Sequence, residues 1–147
     1  MINMQNNDFW LQQNFDWRFL QDKRETFSWT LTNAEPATAT NYNAPWIMPR
    51  SGTVEEFWEV HGTACSSTGT LQLEKLSSGT ALDSGTVVLS TALALNTTAD
   101  TPQRGTLSTT LSARQFVRGD RFALKDANTL TATANLTVMM IVKYKNV

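Results

Sequence analysis

Leu136-Thr137-Val138-Met139-Met140-Ile141-Val142-Lys143-Tyr144, inside the longer run Thr131–Lys145, is the stretch that decides the fold. In an extended chain Leu136, Val138, Met140, Val142 and Tyr144 point one way, and Asn135, Thr137, Met139, Ile141, Lys143 and Lys145 the other. The middle of this run is apolar on both faces and its end is amphipathic, which predicts a strand placed centrally in a sheet.

The same alternation recurs upstream in shorter pieces. Thr26–Thr32, Pro45–Met48, Thr53–His61, Thr70–Leu76, Val87–Leu95, Thr106–Ser112 and Arg121–Lys125 read as strands. Val87–Leu95 and Ser108–Ala113 also fit short helices, but their Thr and Ser content favours strands. Turn residues lie between the runs, at Ser51-Gly52, Ser78-Gly79, Ser84-Gly85, Arg104-Gly105 and Arg118-Gly119-Asp120, where glycine tolerates the positive φ that tight turns often need. About eight strands at this spacing predict an all-β fold, an antiparallel β-sandwich of jelly-roll-like form. No long repeat is visible.

Composition agrees. The 147 residues suit one domain with one core. Only 17% of residues are charged, so the surface is covered mainly by Thr, Ser, Asn and Gln. Thr alone fills 22 positions and suits the wet face of a pleated sheet. Net charge is -1, which argues against nucleic acid or an anionic membrane surface as partner. A single cysteine, Cys65, closes no intrachain disulfide. The first ten residues lack the basic start of a secretory signal, and Val138–Val142 is far short of the roughly 20 residues of a membrane helix.

Residues 1–25 differ from the sandwich expected over 26–147. They are rich in Asn and Gln, carry Phe9, Trp10, Phe15, Trp17 and Phe19, and read as an N-terminal arm. Leu11, Phe15 and Phe19 fit one helical face, whereas Phe15, Trp17 and Phe19 alternate as on a strand; both periodicities are present. Seven of the 14 aromatic residues fall between Phe9 and Trp29. Leaving such a segment in water costs roughly 25 cal/mol per Å² of apolar surface, so it is expected to be buried, on its own sandwich or on a neighbour.

Few residues suggest chemistry. Glu55, Glu56, Glu59 and His61 cluster on one strand, with Glu59 and His61 sharing a face with Phe57, and Glu56 sharing the other with Trp58 and Val60. A metal would need ligands from other strands, and there is no second histidine, so these charges are read as solvated or edge-protecting. No nucleophile elbow and no Gly-rich phosphate loop is present, and Cys65 reads as a small core or loop residue. No catalytic residue, metal site or cofactor is expected. Arg118-Gly119-Asp120 matches an integrin-recognition tripeptide, but a turn accounts for it fully. Asn96-Thr97-Thr98 and Asn135-Leu136-Thr137 match the glycosylation acceptor pattern and are read as incidental. Trp46 and Trp58, with Tyr42, are expected to pack in the core; a platform for sugar rings is the functional alternative.

The stretches Leu73-Glu74-Lys75-Leu76-Ser77-Ser78-Gly79-Thr80-Ala81, Asp83-Ser84-Gly85-Thr86, the Leu-rich run to Leu95, Gly105-Thr106-Leu107 and Arg118-Gly119-Asp120-Arg121-Phe122-Ala123-Leu124 together resemble small β-sandwich proteins of tailed-bacteriophage particles. The resemblance covers about residues 27 to 147 and is one of style and spacing. It implies a virion structural protein, such as a capsid decoration (cement) protein made in the host cytoplasm and carried on the capsid surface. It further implies a homo-oligomer, commonly a trimer, bound to the major capsid protein. Phe9, Trp10, Phe15, Trp17 and Phe19 are the expected contacts to capsid or neighbouring subunit, by burial alone, since the arm is no part of the resemblance. A carbohydrate- or receptor-binding domain of a phage fibre or tail is the alternative, using Trp46, Trp58 or the loop around Asn41-Tyr42-Asn43.

Overall fold

A computed structural model of the chain describes residues 23–34, 46–127 and 132–145. Its strands are β1 Arg24–Ala34, β2 Trp46–Ile47, β3 Gly52–Val60, β4 Thr70–Leu76, β5 Thr86–Val87, β6 Leu93–Ala94, β7 Gln103–Arg104, β8 Gln115–Phe116, β9 Arg121–Ala127 and β10 Ala134–Tyr144. One helical turn, α1, covers Leu111–Arg114.

Two antiparallel sheets result. The first runs β1-β10-β3, with β7 and β8 both along the far side of β3; the second runs β2-β9-β4, with β5 and β6 both along the far side of β4. Counting β5 with β6 and β7 with β8 as two broken strands leaves eight strand positions. In chain order they fall in the first, second, first, second, second, first, second and first sheet. That winding is a jelly roll, as the strand spacing predicts.

β10 lies between β1 and β3, as its two apolar faces require. Leu136, Val138, Met140, Val142 and Tyr144 face inward and are buried, whereas Thr137, Met139, Ile141 and Lys143 are partly exposed on the outer face. Inner residues of both sheets meet in one core, among them Val54, Phe57, Leu71, Leu73, Leu95, Phe122 and Leu124. At one end of this core Phe116 meets Phe122 and Tyr144 edge-on, with ring centroids 5.5 and 6.3 Å apart. A bulge at Glu55 interrupts β3, where Ile141 pairs with Glu56 and Val142 with Val54.

Four expectations need correction. β1 reaches back to Arg24, inside the stretch read as arm. Val87–Leu95 is two short strands with a bend between them, because Leu89 turns away to bridge Leu107. Thr106–Ser112 is no strand. Leu107 makes that single bridge, and the chain then winds into α1, whose carbonyl end is held by Lys75 Nζ donating to Ser112 O and Gln115 O, each at 2.7 Å. Gly52 lies within β3 rather than in a turn; a Cβ there would stand 2.7 Å from the Phe116 ring.

Candidate functional site

Alternation along β3 puts Val54, Phe57 and Glu59 inside, with His61 just beyond on the same face. The expected sharing of faces is therefore correct, but the expected exposure is not. The Glu59 and His61 side chains are completely out of solvent. They are neither solvated nor edge-protecting, because β3 is covered at this end by β7 and the segment leading into it.

Covering a carboxylate and an imidazole demands partners, and the fold supplies them. Glu59 Oε2 lies 3.2 Å from His61 Nδ1, and Glu59 Oε1 accepts a hydrogen bond from Gln103 Nε2. The same Gln103 amide donates to Ala94 O at 2.8 Å. His61 Nε2 lies 3.2 Å from Thr97 O, and since a carbonyl only accepts, Nε2 carries a proton. A hydrogen bond between Nδ1 and Oε2 then requires a further proton on one of these two atoms. Burial pushes the Glu59 carboxyl above its ordinary value, against the hydrogen bond and charge of His61 and the hydrogen bond from Gln103. This cluster ties β3 to the chain between Ala94 and Gln103, and no solute reaches it in this conformation.

Two more side chains replace missing backbone pairing in the second sheet. Gln72 accepts from Leu89 N at 2.9 Å and donates to Leu89 O at 3.1 Å, filling the gap between β5 and β6. Glu74, also buried, accepts from Asp83 N at 3.0 Å and Gly85 N at 2.5 Å, which folds the β4–β5 connection over the outer face of its sheet. Arg121 Nη2 donates to Thr80 O at 2.5 Å and Lys125 Nζ to Asp83 O at 3.0 Å, fastening the same loop.

Cys65 is in the core, as expected. Burial pushes its thiol up, but hydrogen bonds from Ser67, Gly69 and Thr133 outweigh it and hold the thiol below its ordinary value. The groups responsible are hydroxyls and amides, and the chain's one histidine is committed to Glu59 and Thr97. Among the described residues no group of three His, Cys, Asp or Glu side chains could hold a metal ion.

Arg118-Gly119-Asp120 is a tight turn, with Gly119 at φ +90°. Asp120 is buried and its Oδ2 accepts from Val117 N at 2.9 Å, so the carboxylate closes its own turn instead of projecting from it. The two tryptophans part company. Trp46 belongs to the core, as expected, whereas Trp58 lies partly exposed on the outer face of the first sheet. There the Arg104 guanidinium stands 5.5 Å from its ring centroid, and Trp58 Nε1 donates to Glu56 Oε2 at 2.7 Å. They cannot form a joint platform. Tyr42 and the loop Asn41–Asn43 lie outside the described residues, as do Phe9, Trp10, Phe15, Trp17 and Phe19.

Around Trp58 the outer face of the first sheet carries partly exposed apolar surface. Trp58 pairs across to Met139 and Val60 to Thr137. With Pro102 these residues and the Glu59 backbone line a groove of about 240 Å³, almost wholly apolar, which Ile141 extends along β10. Sequence reasoning missed this groove, although the alternation of β10 assigned Met139 and Ile141 to that side. No family model, curated protein or solved structure matches this chain.

Proposed function

We propose that this chain is a non-enzymatic structural protein of a phage particle, a capsid decoration or cement protein that holds a shell together through its arm and its sandwich. The observation that carries the reading is the contrast between the two kinds of surface. Buried Glu59, His61 and Glu74 and half-buried Gln72 are consumed by the fold itself, while apolar surface is left on the outer face of the first sheet. A protein whose task is adhesion needs the second and has no use for exposed reactive groups.

The aromatic arm supports the same reading, because it leads directly into β1 of that sheet. On this proposal the chain is made in the host cytoplasm, forms a homo-oligomer, a trimer, and contacts the major capsid protein; neither nucleic acid nor membrane is a partner. A glycan-binding role in a fibre or tail has lost half its platform, since Trp46 is core.

Phage particles from a culture whose genome encodes this chain, banded on a density gradient and analysed by mass spectrometry, should contain it in stoichiometric amount. Its absence from intact particles overturns the proposal. Full chains carrying Phe15→Ser, Trp17→Ser and Phe19→Ser together should be lost from the particle band.

A further inference from the structure

The outer face of the first sheet and the arm fit each other in size, sheet and chemistry. We propose that the groove at Trp58, Val60, Pro102, Met139 and Ile141 is the seat of the aromatic arm of a second copy of this chain. This deepens the assembly reading, on which it rests for the arm being an assembly element.

Length is the first argument. From Thr137 to Ile141 the stripe runs about 13 Å along β10. Phe15, Trp17 and Phe19 taken as a strand span about 13 Å, and Leu11, Phe15 and Phe19 taken as a helix about 12 Å. Either periodicity therefore matches the stripe. At about 150–250 Å² for each aromatic, Phe15, Trp17 and Phe19 supply on the order of 600 Å² from the arm alone, so that with the matching area of the groove the contact reaches the roughly 1,000 Å² of a specific interface.

Direction is the second. Tyr144 N donates to Lys23 O at 2.9 Å, so at Lys23 the chain is still paired with β10 and runs out past the end of the sheet. At that end Arg24 pairs with Lys143, whereas the groove lies towards Met139 and Thr137. Seating Phe19 in the chain's own groove would require the chain to reverse within the three residues Leu20-Gln21-Asp22. On this proposal the arm instead continues outward onto a second copy, and reciprocal exchange would close a symmetric oligomer.

The test uses full-length chains and light scattering. Wild type should be a closed oligomer, and both Met139→Glu and the triple variant Phe15→Ser/Trp17→Ser/Phe19→Ser should be monomers with the circular dichroism of the wild type. Ile141→Lys is the second face variant should Met139→Glu not fold. The deciding step mixes the two monomers. Met139→Glu keeps its arm and the triple variant keeps its groove, so the mixture should form a heterodimer. A monomeric wild type, an oligomeric face variant, or a mixture that stays monomeric would each overturn the proposal. Particle binding by a monomeric wild type would sink this inference and leave the virion reading standing, whereas an arm-exchanged oligomer missing from particles would do the reverse.

Discussion

His61 Nδ1 lies 3.2 Å from Glu59 Oε2, two positions along the inner face of β3, with both side chains fully out of water. Removing one partner strands the other. Glu59→Ala should therefore cost about 3–5 kcal/mol of stability, and should speed amide exchange between Ala94 and Gln103, the segment this cluster holds. Urea unfolding together with hydrogen exchange checks both; a loss under about 1 kcal/mol would mean that the pair is dispensable.

The same carboxyl predicts a pH dependence. Burial raises Glu59 above the ordinary value of 4.5 despite its hydrogen bonds. A carboxyl raised in the folded chain binds its proton more tightly there than in the unfolded chain. Its contribution is thus complete below pH 4.5 and is lost as pH climbs through the raised folded value. Across that window the stability of wild type relative to Glu59→Gln should fall with rising pH. A difference that stays flat would show that Glu59 titrates alike in both states.

Glu74 holds the β4–β5 connection by accepting from Asp83 N and Gly85 N. Glu74→Ala should lower stability by about 1–3 kcal/mol and open the loop around Ser78–Ser84 to proteolysis. Gly85→Ala should open it too, since a Cβ would stand 2.4 Å from Lys75 O. Limited proteolysis with mass mapping reads out the first cut; cleavage elsewhere would count against the clamp.

Trp46 and Trp58 should respond differently to truncation. Trp46→Ala empties a core site and should cost about 3–5 kcal/mol. Trp58→Ala removes only a partly exposed ring and its Arg104 contact, and should cost about 1 kcal/mol. Thermal melts of the two variants decide it, and equal losses would contradict the assignment to inner and outer faces.

At the Arg118-Gly119-Asp120 turn, Asp120→Ala removes the acceptor of Val117 N and should cost about 1–2 kcal/mol. Gly119→Ala places a side chain at φ +90° and should cost a similar 1–2 kcal/mol, all of it conformational, because nothing lies within 4 Å of the added Cβ. Denaturant midpoints measure both. Neither change should alter cell adhesion, since the carboxylate is turned into the protein.

Local alternation determined the long strands β1, β3, β4, β9 and β10, the central place of β10 and the side on which each of its residues lies, because the period of two is a property of the extended backbone and is readable in any stretch long enough to repeat. It also assigned Glu59 and His61 correctly to the face of Phe57. What covers a face is another matter. Whether Glu59 and His61 met water depended on Gln103, 44 residues from Glu59, and Thr97, 36 residues from His61, and only the jelly-roll winding brings those segments across β3. The same holds for α1: Thr and Ser content favoured a strand, but Lys75 from the opposite sheet captures the carbonyls of Ser112 and Gln115 and the helical turn wins. It holds again for the tryptophans, alike in sequence as aromatic residues in or beside strands, of which one closes the core and the other is left on an open face. Period is written into neighbouring residues; coverage is written by the packing of distant ones.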